Sequence, residues 1–215
     1  MRVISVNVGR PQTVEWHGRR VSTAIFKSPV AGPVPVQADN LAGDEQADLS
    51  VHGGPSKAVY AYPAEHYNYW RAELPTVDFS WGMFGENLTV EGLAEDELLV
   101  GDIFAVGSAL LRVSEPRVPC YKLGLRFNDP QMVKRFLHSR RSGFYFSIAQ
   151  AGVIQAGDPI ALVQRAVESV SIADMFRVYG FEPDDRATLE RMAGLAQLSE
   201  GWRHFATQKL NGRDD

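Results

Sequence analysis

Cysteine is almost missing from this chain: Cys120 is the only one in 215 residues. An internal disulfide framework is thereby excluded, and a reducing, cytoplasmic setting is expected. Long apolar runs are missing as well. No stretch approaches the ~20 residues that a spanning helix needs, so no membrane segment is expected. The opening Met1-Arg2-Val3-Ile4-Ser5-Val6-Asn7-Val8 is too short an apolar run for a signal peptide and reads as a first strand. The patterns GxSxG, HExxH, GxGxxG and CxxC do not occur. Paired zinc ligands are lacking too: His17, His52, His66, His138 and His204 are scattered, and none stands at ligand spacing from Cys120. A surplus of positive charge is also absent. The net charge of −4 argues against wholesale nucleic-acid binding.

What the chain does contain is an ordinary globular composition, 45% hydrophobic and 22% charged, with 12 prolines and 19 glycines. That length supports one sizeable core with a small appendage. The many turn residues point to short strands in a barrel or sandwich. Strands are expected at 3–8, 13–16, 21–26, 58–61, 84–90, 102–106, 109–114, 143–148 and 159–163. Pro63 suits the first position of a helix running to about Leu74, with Tyr67 and Trp70 inward. Asp129-Pro130 suits the start of a second, carrying the apolar stripe Met132, Val133, Phe136 and Leu137. After Arg165 the texture turns helical: Ser171 with Asp174 forms a capping box, and short helices follow at 184–193 and 199–210. Helices this short need packing to persist, so the trio is expected to dock on itself and on the sheet domain.

Charge is unevenly spread. From Arg112 to Tyr145 there are eight basic residues against two acids, Glu115 and Asp129, leaving the segment at +6 and the rest at −10. Crowded like charges repel unless an anion is near, although a solvated face is the plainer reading of most charge runs. Cys120 lies inside this run, in Ser114-Glu115-Pro116-Arg117-Val118-Pro119-Cys120-Tyr121-Lys122-Leu123. Pro116 and Pro119 stiffen the loop. Arg117 and Lys122 favour a thiolate, which would serve as nucleophile or soft metal ligand. From the segment alone, a small buried apolar cysteine is equally open. A Cys–His hydrolase with His52 as base is open too, since such partners meet only in the fold.

Three further clusters bear on chemistry. His52-Gly53-Gly54-Pro55-Ser56-Lys57 could present backbone N–H groups and a cation to an anion, although it lacks P-loop spacing. Asn87, in Gly85-Glu86-Asn87-Leu88, could hydrogen-bond a ligand or cap a strand. Arg140-Arg141-Ser142-Gly143 is a basic turn entering a strand, or a solvated loop.

Taken in order, these clusters resemble the MOSC family, the domain found at the C-terminus of molybdenum-cofactor sulfurases, and within it the stand-alone YiiM-like branch. The matching stretches are Asp48–Lys57, Tyr62–Tyr67, Phe84–Leu93, Gly101-Asp102, Pro116–Leu123, Arg141–Gly143 and Gly157-Asp158. The resemblance implies a mainly β fold with peripheral helices: a MOSC-type β-barrel over 1–165 and a three-helix extension over 166–215. It implies molybdenum cofactor (molybdopterin) in a cationic pocket, with Cys120 bonded to the metal and catalytic. His52, Gly53, Lys57, Asn87, Arg117, Lys122, Arg140 and Arg141 are its candidate cofactor-binding residues. It implies reduction of N-hydroxylated compounds, including hydroxylaminopurine-type bases, to amines. An anionic pterin cofactor calls for the lysines and arginines seen here, and a thiolate suits a sulfur-rich metal centre.

The chain carries no second cysteine cluster, flavin motif or haem signature, so a partner, a flavoprotein-type reductase, is expected to supply electrons. An aromatic substrate would stack on one of Tyr60, Tyr62, Trp81, Tyr121 or Phe144. One competing function is a cofactor carrier or sulfur-transfer module without turnover of its own. Another is a DNA-binding use of the C-terminal helices. Residues 166–215 hold six basic and nine acidic residues, the wrong sign for phosphate contacts. Those helices are expected instead to cover a barrel edge, shape the pocket rim or form a homodimer contact. A residue 120 sealed in the apolar interior, with the cations turned outward, would remove the chemical reading.

Overall fold

The computed structural model describes residues 1–47 and 53–212. The strands are β1 (Arg2–Val8), β2 (Gln12–Trp16), β3 (Arg19–Thr23), β4 (Ser28–Pro29), β5 (Val34–Val36), β6 (Val59–Pro63), β7 (Leu88–Glu91), β8 (Ile103–Val106), β9 (Ala109–Pro116), β10 (Phe144–Gln150), β11 (Gly152–Ile154) and β12 (Ile160–Gln164). The helices are α1 (Glu65–Glu73), α2 (Tyr121–Phe127), α3 (Met132–Ser139), α4 (Ile172–Gly180), α5 (Arg186–Gly194) and α6 (Glu200–Leu210), with a single 3-10 turn at Pro55–Lys57.

Eight strands make one sheet in the order β12-β8-β9-β10-β6-β7-β1-β4, antiparallel except where β6 runs parallel to β7. The hairpin β2–β3 and the pair β5–β11 stand apart from it. The fold is mainly β, as expected, but the sheet does not close into a continuous barrel. Its two ends are tied only at one antiparallel bridge, Arg2–Pro159. Ile160 N donates to Met1 O at 3.0 Å and Val3 N to Asp158 O at 2.9 Å. Two features stop the seam there. Pro159 has no N–H to extend a ladder. The far end of β1 is already paired to β4, through Asn7 with Pro29.

Two cores hold the molecule. The larger runs from Val3 and Val6 through Val59, Leu88, Leu111 and Phe146 into Ile172, Met175, Leu189, Met192 and Trp202. The C-terminal helices therefore share the sheet's core. At roughly 25 cal/mol per Å² of apolar area removed from water, this shared burial is what holds such short helices. Ser171 starts α4 as expected, its Oγ accepting from Asp174 N at 3.0 Å. Arg177 ties the trio's loops by pairing with Asp174, Glu182 and Asp185. The smaller core is aromatic, with Tyr62, Tyr67, Trp70, Phe84 and Phe136 stacked or edge-on. Within it the Glu86 carboxylate accepts from Tyr67 Oη, from Gly82 N at 2.8 Å and from Thr89 Oγ1 at 2.9 Å.

Two local expectations need correction. Pro63 closes β6 opposite Val90 instead of opening a helix, and α1 begins two residues later. The parallel pairing holds Pro63 in the strand, and Ala64, whose N–H donates to Val90 O at 2.7 Å, is the first residue to turn helical. Helix α2 was not foreseen after Cys120, because Gly124 interrupts a stretch with no capping side chain. Glycine suits that position for a reason outside the helix. A Cβ at Gly124 would lie 3.1 Å from Asp129 O, where the chain doubles back toward α3.

Candidate functional site

β9 ends at Pro116, and the Pro-stiffened loop delivers Cys120 to the residue before α2, in an extended conformation. Cys120 is half-buried and lies on a wall common to two cavities. It is not sealed in the interior. The first cavity encloses about 690 Å³, its mouth included, among Ile25, Lys27, Asp44, Asn87, Arg117 and Lys122. The second encloses about 1160 Å³, its mouth included, between the end of β9 and the C-terminal helices. Lys57, Val118, Cys120 and Tyr145 line both.

Arg117 is the most telling residue of the first cavity. It is 6% exposed, and its guanidinium carbon sits 5.1 Å from the ring centres of both Tyr60 and Phe136. Its Nη1 is buried without a hydrogen-bond partner. A buried donor left so costs about 1–3 kcal/mol, which an acceptor entering the cavity would recover. Burial opposes its charge most, yet Tyr60, Tyr145 and Cys120 carry its pKa above the usual arginine range. Burial likewise pushes the Tyr145 hydroxyl up to about 12, with Arg117 pulling against it, so the phenol keeps its proton at neutral pH.

Lys27 is neutralised within the protein by Asp44, while burial lowers its pKa against that pairing. The cavity's other cations are Lys57, Arg117 and Lys122, of which Lys57 stands 3.7 Å from Glu115 Oε1; Glu45, also on the lining, leans on Arg10 at 3.7 Å.

The expected site residues fall into three groups. Cys120, Lys57, Asn87, Arg117 and Lys122 are brought together on the first cavity, and Gly53 lines the second. Asn87 is already engaged: its Oδ1 accepts from Tyr60 N at 3.1 Å, and its Nδ2 donates to Asp44 Oδ2 at 2.9 Å. Arg140 and Arg141 line neither of these two cavities. Aromatic rings capture them: Arg140 lies 4.2 Å from the Phe181 ring centre and Arg141 3.8 Å from that of Tyr69. Their turn serves the fold. Gly143 has φ +61, its N–H donates to Glu95 Oε1 at 2.9 Å, and a Cβ there would meet Ala61 O at 2.6 Å. His52 lies outside the described residues. Among those described, no cluster of three or more His, Cys, Asp or Glu is grouped to hold a metal ion.

Sequence reasoning missed the second cavity's walls. Tyr145 stands across the sheet from Glu115, while Tyr179, Trp202 and Phe205 come from α4 and α6. Of the five proposed stacking residues only Tyr60 lines a cavity. Tyr62 and Phe144 are fully buried in the cores. A solitary glutamate inside a basic run was the one available sign for Glu115; the helical aromatics read as ordinary core spacing.

A MOSC domain profile matches residues 48–161, and a YiiM-like, 3-alpha helix domain profile matches 170–213. The chain belongs to the MOSC family, in its YiiM-like branch. MOSC domains are associated with molybdenum cofactor. The chain is similar to YflK of Bacillus subtilis, 40% identical over 94% of this chain and 90% of that one. It is similar to the crystal structure of YiiM from Geobacillus stearothermophilus, 39% identical with a TM-score of 0.82, over 97% and 98% of the two chains. It also matches a reductase of Gibberella moniliformis at 38% identity, over 75% of this chain and 29% of that one. Among the described residues no helix of this MOSC protein is long and apolar enough to cross a membrane.

Proposed function

We propose that this MOSC protein is a molybdenum-cofactor-dependent reductase that converts N-hydroxylated compounds, hydroxylaminopurine-type bases among them, to amines. The observation that carries the reading is Cys120 on a cavity wall beside Arg117, whose buried Nη1 has no partner in the protein. A donor atom held in that state suits an anionic group, and the surrounding Lys57 and Lys122 suit it further. The reductase relative and the MOSC match agree with a redox role tied to this cofactor.

Arg117, Lys57 and Lys122 would hold the anionic cofactor, and Cys120 would supply a soft thiolate ligand to its metal. When bound, the cofactor supplies oxygen-atom exchange and a pair of electrons. The overall change is balanced simply: the N–O bond breaks, two electrons and two protons enter, and the products are amine and water. The Tyr145 hydroxyl, protonated at neutral pH, can donate a hydrogen bond toward the departing oxygen. The stiff Pro116–Pro119 loop and the helical extension line the cavity beside Cys120 and would shape the approach to it. Electrons come from a flavoprotein-type reductase, in a cytoplasmic setting.

The test is molybdenum and pterin content, with turnover of an N-hydroxylated base under a chemical reductant, for wild type and Cys120→Ser made in a cofactor-competent host. The variant is expected to lose molybdenum and activity together. Normal metal with lost activity would point to a nucleophilic cysteine. Bound cofactor in the wild type without turnover would point to a carrier or sulfur-transfer module.

A further inference from the structure

Four buried side-chain atoms among the described residues have no hydrogen-bond partner: Glu115 Oε2, Arg117 Nη1, Arg126 Nε and Arg203 Nε. Only Glu115 and Arg117 line a cavity, and they divide between the two. Arg117, a donor, lines the first alone; Glu115, an acceptor, lines the second alone; Cys120 belongs to both. Each cavity is thus lined by one residue with an unsatisfied buried atom, a donor on the first and an acceptor on the second, and Cys120 lines both.

Glu115 is 2% exposed at the end of β9. Lys57 stands 3.7 Å from its Oε1, which leaves Oε2 unsatisfied. A carboxylate oxygen in this state repels anions and attracts N–H groups. The same cavity is lined by Tyr179 from α4 and Trp202 and Phe205 from α6, which pack on one another edge-on or tilted, 5.6–5.8 Å between ring centres. An aromatic lining that holds one carboxylate acceptor suits a ring that carries N–H donors.

We infer that the second cavity is the substrate pocket of this enzyme. Glu115 accepts from an amino or ring N–H of a heteroaromatic substrate, and the three-helix extension supplies the aromatic wall that selects for a planar ring. This deepens the reductase reading and rests on it. Glu115 is a positioning residue here, and the helical extension becomes a specificity element as well as a cover.

The probe is adenine, titrated by calorimetry into cofactor-free full-length protein, with benzoate as a flat anionic control. Variants are Glu115→Gln, in which Lys57 would keep the amide oxygen and turn the amide NH2 to where Oε2 stood, and Tyr179→Ala, at a position 40% exposed in wild type. Adenine is expected to bind wild type and benzoate not. Loss of a hydrogen bond to a charged acceptor should weaken adenine about tenfold or more in Glu115→Gln. Tyr179→Ala should weaken it several-fold. In cofactor-loaded protein, the same variants should raise KM for the N-hydroxylated base more than they lower kcat, at unchanged molybdenum content. Adenine that fails to bind wild type, or binds the variants equally well, overturns the pocket. Reductase activity with KM unmoved in both variants sinks the pocket and spares the reductase reading. Adenine binding that follows the variants in a protein without reductase activity does the reverse.

Discussion

Replacing Arg117 by methionine should separate folding from cofactor retention, because the two respond with different sizes. In the cofactor-free protein the guanidinium gives favourable contacts to the Tyr60 and Phe136 rings, each at 5.1 Å. Such contacts contribute about 1 kcal/mol apiece, so roughly 2 kcal/mol is lost with the charge. Against this stands the buried Nη1 without a partner. Removing an unsatisfied buried donor recovers about 1–3 kcal/mol. Methionine also keeps a long apolar stem between the rings. The net change should lie within about 2 kcal/mol of zero, and a chain of this size then shifts in Tm by no more than about 8 °C. Cofactor retention has no such offset. A charge-assisted hydrogen bond is worth about 1.5–3 kcal/mol, so the variant should hold an anionic cofactor about 10–150-fold more weakly. Differential scanning calorimetry of cofactor-free protein and molybdenum content of protein from a cofactor-competent host measure the two sides. A variant that unfolds readily yet retains full cofactor would show that Arg117 serves the fold and not the ligand.

Gly143→Ala should destabilise the protein by about 2 kcal/mol or more, read by urea unfolding, because positive φ penalises any Cβ. That Cβ would also lie 2.6 Å from Ala61 O. The helical extension should weaken in acid. Hydrogen bonds from Arg177 first, then from Thr188, hold Asp185 down at about 2, below the usual 3.8. A depressed carboxylate stabilises fully above its unfolded pKa, and the contribution fades as pH falls from about 4 toward 2. Far-UV circular dichroism across that window should show the step in wild type, and Asp185→Asn should flatten it. Since Asp185 sits near the surface, added salt should shrink the step in wild type.

Much of the architecture could be read from the residues. Alternating apolar positions placed most strands within a residue or two, and Ser171 with Asp174 marked the start of α4 because a cap is a local hydrogen bond. Ladder closure could not be read. Whether β1 joins β12 through one bridge or many depends on where distant edges arrive, and Pro159 limits them only once they meet. Helix α2 escaped notice because Gly124 is chosen by the approach of Asp129, a contact that no neighbour in sequence announces. The surroundings of Arg140 and Arg141 were hidden for a related reason. A basic turn looks the same whether its guanidinium groups face an anion or lie over Tyr69 and Phe181.

The sequence by itself determined that the one thiol, Cys120, follows a proline-stiffened loop and stands near Arg117 and Lys122, a local fact of chain order. It also determined that the last fifty residues are helical and not basic. Only the tertiary structure decided that Cys120 opens on two cavities, that Arg117 and Glu115, two residues apart, line different ones with one buried atom each lacking a hydrogen-bond partner, and that aromatic residues some sixty or more positions downstream wall the second. Burial and partner loss are properties of the whole packing, because a side chain's solvent is displaced by whichever distant segment folds over it.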